Sequence, residues 1–216
     1  MNPLAPIGRI FIAFLAAIGR ISVFTIIALS PCVRPPFYFR HIGRQMLDIG
    51  YFSLPVVGLT ALFSGMVLAL QSYTGFGSIA SEASVSRIVV LSVTRELAPV
   101  LAGLMVAGRI GAAMAAEIGT MRVTEQIDAL TTLSTQPMKY LVAPRIIAGL
   151  TMMPFLILIA DIIGVFGGYV VAVYKLGFNP AVYISGTWDA LEGIGVISGL
   201  VKAAAFGFLV ALMGCY

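Results

Sequence analysis

Five charged residues interrupt the long apolar stretches of this chain, and they are the residues best placed to do chemistry. They are Arg95, Glu96, Arg109, Asp161 and Lys202. A charge at the depth of a lipid bilayer is costly, so it marks by default a transport pathway or a polar cavity. We therefore predict that Arg95 and Glu96 line a polar opening towards the outer face of a membrane.

The spacing of these charges places them at different depths. Glu96 and Arg109 are separated by 12 uncharged residues, which is about 18 Å of helix. Arg109 is therefore expected near the inner surface of the membrane. Asp161 and Lys202 lie in separate apolar stretches, and two interpretations stay open for them: an ion pair between the two spans, or a role in the pathway.

Motifs for catalysis and nucleotide binding are absent from the sequence. None of the three lysines completes a GxxxxGK[ST] phosphate loop, and neither HExxH nor GxSxG occurs. His41 is interpreted as an interfacial residue, and Cys32 and Cys215 are too far apart to indicate a metal site. We predict no catalytic residue, no metal and no cofactor, so any ATP hydrolysis must be supplied by another chain.

The segments that carry the charges are predicted to be transmembrane helices. Of the 216 residues, 60% are hydrophobic and 10% are charged, against about 45–50% and about 25% in a soluble domain. This composition excludes a soluble enzyme, and the continuous apolar runs argue against a porin-like barrel. We predict an all-α integral membrane protein with spans near Tyr51–Gln71, between Arg87 and Glu117, at Ile146–Tyr174, and from Gly193 onwards.

The N-terminal segment, residues 7–33, is apolar apart from its arginines. Arg9 and Arg20 are 11 residues apart, close to a whole number of helical turns, so they share one face of a helix. This pattern favours an amphipathic helix lying in the membrane interface, with a fifth crossing as the alternative. We divide the chain into an N-terminal interfacial segment, residues 1–45, and a membrane domain, residues 46–216.

Basic residues indicate the orientation of the spans. Arg40 and Arg44 precede the first span, and further basic residues lie in segment 118–145, whereas the other connections hold only Arg87 and Lys175. Because cytoplasmic loops are enriched in Lys and Arg, the N-terminus and segment 118–145 are predicted to be cytoplasmic. These positions account for the formal charge of +4, and nucleic acid is not an expected partner.

Small residues recur every four positions in several spans, and in lipid such stripes let helix backbones approach closely. The stripes comprise Ala61, Gly65 and Ala69; Gly103, Ala107, Gly111, Ala115 and Gly119; and Gly195, Gly199, Ala203, Gly207 and Ala211. Two interpretations stay open: the stripes pack against other spans of the same chain, or one of them faces an identical subunit.

The most polar stretch of the cytoplasmic segment is Met121–Leu130. Thr120 or Thr124 is predicted to cap a short helix in which Glu125 and Asp128 lie on one face. A short amphipathic helix between two spans is what a permease uses to bind a motor subunit, although a plain connector has the same pattern.

Several motifs occur together in a fixed order along this chain. They are Gly65–Gln71, Arg95–Pro99, Ala107–Arg109, Ala116–Gly119, Thr124–Gln126 with Asp128–Leu130, Pro144–Arg145, Asp161 with Gly164, and Lys202. Together they resemble the MlaE/YrbE permease family over about residues 40–216. Members of that family form the membrane subunit of ABC transporters that move phospholipid between the inner and outer membranes of diderm bacteria.

The resemblance implies a lipid-conducting homodimer in the bacterial inner membrane. Each chain of the family has an interfacial N-terminal helix and five transmembrane helices. Lipid is expected in a cavity between the two copies, near Leu68, Gln71 and Tyr73 of the first span and near Arg95 and Glu96 of the second.

The resemblance also implies partner proteins. A coupling helix around Arg122, Glu125, Gln126 and Asp128 is expected to bind a cytoplasmic ABC ATPase. An MCE-domain protein is expected on the periplasmic side, and a small STAS-domain protein on the ATPase.

Two features depart from the family's pattern. The family continues past the position of Tyr216, so only four of its transmembrane helices are visible and we expect a truncated chain. Ser134–Pro137 also stands where the family has a glycine before the loop proline.

Two other classes of function remain as alternatives. One is a secondary transporter that uses Asp161 and Glu96 as proton sites and works without a partner. The other is a structural membrane scaffold, which has no lipid in a central cavity.

Overall fold

A computed structural model describes residues 4–33, 38–76 and 82–216, and within these ranges it contains helices and no strand. The helices are α1 (Leu4–Val33), α2 (Phe39–Met46), α3 (Leu54–Phe76), α4 (Glu82–Ser92), α5 (Ala98–Val106), α6 (Ala112–Val123), α7 (Gln126–Thr132), α8 (Ala143–Tyr174), α9 (Pro180–Ala190) and α10 (Gly193–Cys215). Short π-helical turns extend or join them at Leu47–Tyr51, Val93–Leu97, Ala107–Gly111 and Met138–Val142.

The structure confirms the prediction of an all-α integral membrane protein. Within the described ranges, five helical stretches are long and apolar enough to cross a membrane: Gly8–Pro31, Phe39–Gly75, Glu82–Val123, Met138–Tyr174 and Gly193–Cys215. The last four correspond to the predicted spans. The stretch Glu82–Val123 has 42 residues, which is about 63 Å of helix. Its ends therefore project beyond the roughly 30 Å of hydrocarbon in a bilayer.

Helix α8 lies at the centre of the bundle, and α3 and α10 pack against it through glycines. A Cβ atom at Gly65 would overlap the carbonyl oxygen of Gly164, and one at Gly149 would lie 2.7 Å from the carbonyl oxygen of Gly207. Backbones approach this closely only where side chains are absent. The small-residue stripes of α3 and α10 therefore pack within the chain.

The small-residue stripe of the second span is packed at its start and exposed at its end. A Cβ at Gly103 would touch the ring of Phe206, so this end of the stripe packs against α10. The Cβ of an alanine at Gly111 would lie 3.5 Å from Val210 of α10, whereas Ala115 and Gly119, further along α6, are exposed. Intrachain packing on α10 thus accounts for the stripe from Gly103 to Gly111 and not for its last two residues.

Helix α1 contacts the bundle near its C-terminal end. Phe24 and Ala28 pack with Val142 and Leu212, whereas most side chains between residues 8 and 20 are exposed. A helix that crossed the membrane beside the bundle would contact it at several depths, so contact at one end supports the interfacial orientation. Because α1 is also long and apolar enough to span, its orientation stays a prediction.

Candidate functional site

A groove opens between α3 and the segment Val93–Val106, and it contains part of the predicted lipid pathway. Its volume is about 530 Å³, and it is lined by Leu59, Thr60, Phe63, Ser64, Val67, Leu68, Gln71, Leu97 and Leu101. Leu68 and Gln71, which the family resemblance assigns to the lipid pathway, both line this groove. Mostly apolar walls with a few polar groups suit a ligand with long hydrocarbon chains.

Tyr73 does not line this groove. Its ring packs edge-on against Phe178, with ring centroids 5.7 Å apart. Tyr73 is three residues before the end of α3, and Phe178 lies in the turn between α8 and α9. The structure therefore places Tyr73 on the side of α3 that packs against this turn, away from Leu68 and Gln71.

Pro99 explains the irregular backbone beside the groove. A proline has no backbone N–H, so Pro99 cannot donate to the carbonyl oxygen of Arg95 four residues earlier. The helix accommodates this with the π turn Val93–Leu97, a feature often found at functional sites. The Nζ atom of Lys202 donates to the Arg95 oxygen at 3.0 Å.

Lys202 also forms an ion pair with Glu96, with 2.7 Å between Nζ and Oε1. The Glu96 side chain is 66% exposed and that of Lys202 is 37% exposed in the isolated chain. A carboxylate that faced hydrocarbon here would be costly. Pairing with Lys202 lowers that cost, and a polar opening beside Glu96 stays a prediction.

Of the two interpretations left open for Asp161 and Lys202, the structure does not show the ion pair between them, because Lys202 pairs with Glu96. One face of α10 carries Gly195, Gly199 and Lys202. This face packs on the π turn Val93–Leu97, because a Cβ atom at Gly199 would overlap the carbonyl oxygen of Thr94. Lys202 consequently points towards Glu96. Within the described part of the chain, the buried Oδ1 atom of Asp161 has no hydrogen-bond partner.

Arg109 joins the second span to the turn before α3. Its Nη1 atom donates to the carbonyl oxygen of Phe52 and, at 3.1 Å, to the hydroxyl of Ser53. These residues form the turn that precedes α3. Arg109 thus stabilises the contact between two spans.

Within segment 118–145, a tight turn precedes α7. Glu125 has a φ of 56°, which is uncommon for any residue but glycine, and its carbonyl oxygen accepts from the N–H of Ala129 at 3.0 Å. The prediction that Thr120 or Thr124 caps this helix is wrong, because the Thr124 hydroxyl donates back to the Thr120 carbonyl at 2.8 Å. The left-handed turn at Glu125 begins the helix instead.

The predicted coupling residues share an exposed surface. Arg122, Glu125, Gln126 and Asp128 are all exposed. Two large apolar side chains flank them, Val123 at 84% and Leu133 at 74% exposure. These two side chains add exposed apolar area to a mostly polar stretch outside the predicted spans.

Two charged residues that belong to the sequence motifs, but whose pairing was not predicted, join the ends of this segment. Glu117 and Arg145 form an ion pair of 2.6 Å between Oε2 and Nη2, and the Arg145 side chain is only 3% exposed. Glu117 lies in α6 and Arg145 in α8, so the pair joins the two ends of the segment. The sequence feature that could have indicated this pair is Arg145 itself, because a charged residue at the start of a strongly apolar stretch needs a partner.

We expect Glu117→Gln to destabilise the protein by about 1–3 kcal/mol, since a buried guanidinium loses its carboxylate. The double variant Glu117→Met, Arg145→Met removes both charges and is expected to be less destabilised than the single variant. Thermal unfolding of the purified protein in detergent measures both. Equal loss in the two variants would contradict a role for the ion pair.

Comparisons with known proteins reveal a clear relationship. A sequence model of the family described as Permease MlaE matches residues 42–216. A probable ABC transporter permease protein of Rickettsia bellii is 57% identical over 216 residues, with 100% of this chain and 83% of the relative covered. The intermembrane phospholipid transport system permease protein MlaE of Haemophilus influenzae is 34% identical over 219 residues, with 100% and 83% covered.

The relationship extends beyond bacteria. The chloroplastic protein TRIGALACTOSYLDIACYLGLYCEROL 1 of Arabidopsis thaliana is 34% identical over 178 residues, with 82% of this chain and 51% of that protein covered. The similar region thus includes most of the helices described above.

Proposed function

This chain belongs to the MlaE family of ABC transporter permeases, and we propose that it conducts phospholipid between the inner and outer membranes of a diderm bacterium. The Haemophilus relative carries phospholipid transport in its name. In our proposal the chain catalyses no reaction itself, and ATP is hydrolysed by a separate subunit. Residues 46–216 form the permease domain, and residues 1–45 the interfacial segment.

The groove beside α3 is the observation that carries this proposal. Its apolar walls suit acyl chains, and the pair Glu96–Lys202 stands on the neighbouring helices, where a headgroup needs charged partners. We propose that Leu68 and Gln71 contact lipid directly. Arg95 and Glu96 contact its headgroup, and Tyr73 positions the outer end of α3.

The exposed surface of Arg122, Val123, Glu125, Asp128 and Leu133 is our proposed contact with an ABC ATPase. The left-handed turn at Glu125 sets the direction of α7 relative to α6, and the ion pair at the base of the segment prevents it from moving independently of the spans. Movement of a bound ATPase is thereby transmitted to the helices that form the groove.

We further propose the membrane, the oligomeric state and the partner proteins of the assembled transporter. The chain lies in the bacterial inner membrane with a cytoplasmic N-terminus and pairs with a second copy of itself. An MCE-domain protein binds on the periplasmic side, and a STAS-domain protein binds the ATPase.

Affinity purification of the tagged chain from its native membrane, followed by mass spectrometry, tests the proposal. We expect an ABC ATPase to be recovered with the unmodified chain and lost with Glu125→Lys, because the reversed charge lies in the proposed contact. Glu192→Lys is the matched control, since it makes the same substitution at an exposed position at the start of α10, on the predicted periplasmic side. It should retain the ATPase.

Two results would argue against the proposal. If no ATPase accompanies the unmodified chain while its lipid transport persists, the chain acts as a secondary transporter. If Glu125→Lys and Glu192→Lys retain the ATPase equally, the docking surface lies elsewhere.

A further inference from the structure

Helix α2 and the turn after it expose large apolar side chains beside two arginines. Phe39, Leu47 and Tyr51 are 77%, 59% and 68% exposed, and Arg40 and Arg44 are exposed as well. On the inner side, His41 and Asp48 line cavities. Exposed apolar side chains next to arginines are expected of a helix at the membrane surface, and here it borders a polar interior.

The polar interior is a recess at the predicted cytoplasmic surface, separate from the groove beside α3. It consists of two adjoining cavities of about 300 and 230 Å³, which share Gln45, Asp48 and Glu117. Arg44 and Arg145 also line the larger cavity. The recess therefore presents guanidinium groups and carboxylates together.

Arg145 is the least satisfied of these groups. It is 2% exposed, and while its Nη2 atom binds Glu117, its buried Nη1 atom has no hydrogen-bond partner within the described ranges. A buried N–H without an acceptor is costly. Arg145 borders the recess and also lies beside the Cys215 thiol, so an anionic oxygen bound in the recess would give its guanidinium group a stronger acceptor than a thiol.

We propose that this recess binds the zwitterionic headgroup of an aminophospholipid from the cytoplasmic leaflet. The phosphate accepts hydrogen bonds from Arg44 and Arg145, and the ammonium group donates to Asp48 and Glu117. Carboxylates beside the guanidinium groups disfavour a purely anionic headgroup, because a second negative charge would be repelled. The exposed Phe39 and Leu47 place the acyl chains against the same helix.

Site-specific photocrosslinking in proteoliposomes tests this inference. The assembled transporter carries p-benzoylphenylalanine at Gln45, in the recess, or at Val67, in the groove. The vesicles contain phosphatidylethanolamine and phosphatidylglycerol, and phosphorus-32 labels one lipid or the other. A parallel sample in pure phosphatidylglycerol receives labelled free phosphorylethanolamine, which separates a lipid headgroup from a soluble phosphate compound.

We expect the Gln45 probe to label phosphatidylethanolamine about tenfold more than phosphatidylglycerol, since one charge-assisted hydrogen bond discriminates by about that factor. Asp48→Asn should weaken this preference, since Glu117 remains as the second carboxylate, and Arg44→Gln should reduce labelling of both lipids. Neither variant should change labelling from Val67, which shows that the protein remains folded and that the groove still holds lipid.

Three outcomes would overturn the inference. They are an absence of lipid labelling at Gln45, an unchanged preference in Asp48→Asn, or labelling by free phosphorylethanolamine in place of lipid. The probe at Val67 reports on the groove alone. Loss of lipid labelling from this probe would therefore count against the proposed transport pathway and not against the recess.

Discussion

Lys202→Met is expected to reduce ATP-dependent transfer of phospholipid about 10- to 100-fold, the range given by loss of one charge-assisted hydrogen bond. Lys202 bonds both the Glu96 carboxylate and the Arg95 carbonyl oxygen, which Pro99 leaves without its helical donor. Methionine has a similar length but no donor. The variant leaves a carboxylate and a backbone oxygen unsatisfied at membrane depth. Transfer of a fluorescent phospholipid from proteoliposomes to acceptor vesicles measures the rate.

Two further variants distinguish pairing from the mere presence of a charge. Lys202→Arg retains donors for both oxygens and should preserve most of the activity. The exchange of charges, Glu96→Lys with Lys202→Glu, restores the ion pair but places a carboxylate against the Arg95 oxygen, so we expect only partial rescue. Full activity in Lys202→Met would show that this contact is dispensable.

Gly65→Ala is expected to lower the thermal unfolding temperature by about 5–10 °C. A Cβ atom at this position would overlap the carbonyl oxygen of Gly164 in α8, and a backbone atom cannot swing aside as a side-chain end can. The helices must separate, which typically costs about 1–3 kcal/mol, and 1 kcal/mol corresponds to about 2–4 °C for a chain of this size.

Gly75→Ala is the matched control in the same helix. Among the described residues outside its own stretch of helix, none has an atom within 4 Å of a Cβ built at Gly75, and alanine is the better helix former. This variant should therefore be neutral or slightly stabilised. Scanning fluorimetry in detergent compares the two, and an equal melting temperature would mean that α3 and α8 are less closely packed than described.

The membrane spans could be predicted from the sequence because each depends on a local property. Apolar length against bilayer thickness locates a span, and the distribution of basic residues predicts its orientation. The stretch Ile146–Tyr174 was recognised in this way despite Asp161, and it forms most of α8. Leu68 and Gln71 were assigned to the pathway through the family resemblance, and both line the groove.

The partners of the buried charges could not be predicted in this way. Lys202 was considered a partner of Asp161 but pairs with Glu96, and Glu117 with Arg145 was not anticipated. Each pairing depends on how two helices are rotated about their axes. That rotation is set by glycines packed on distant backbone atoms, such as Gly199 against Thr94.

The sequence by itself thus determined the class of protein, its spans and the charged residues within them, since the cost of placing a group in hydrocarbon acts on each segment alone. The tertiary structure decided which charges meet, how Glu125 turns the chain, and that a mixed-charge recess lies behind α2. Those features arise from contacts between segments far apart in sequence, and close packing of several helices is what specifies them.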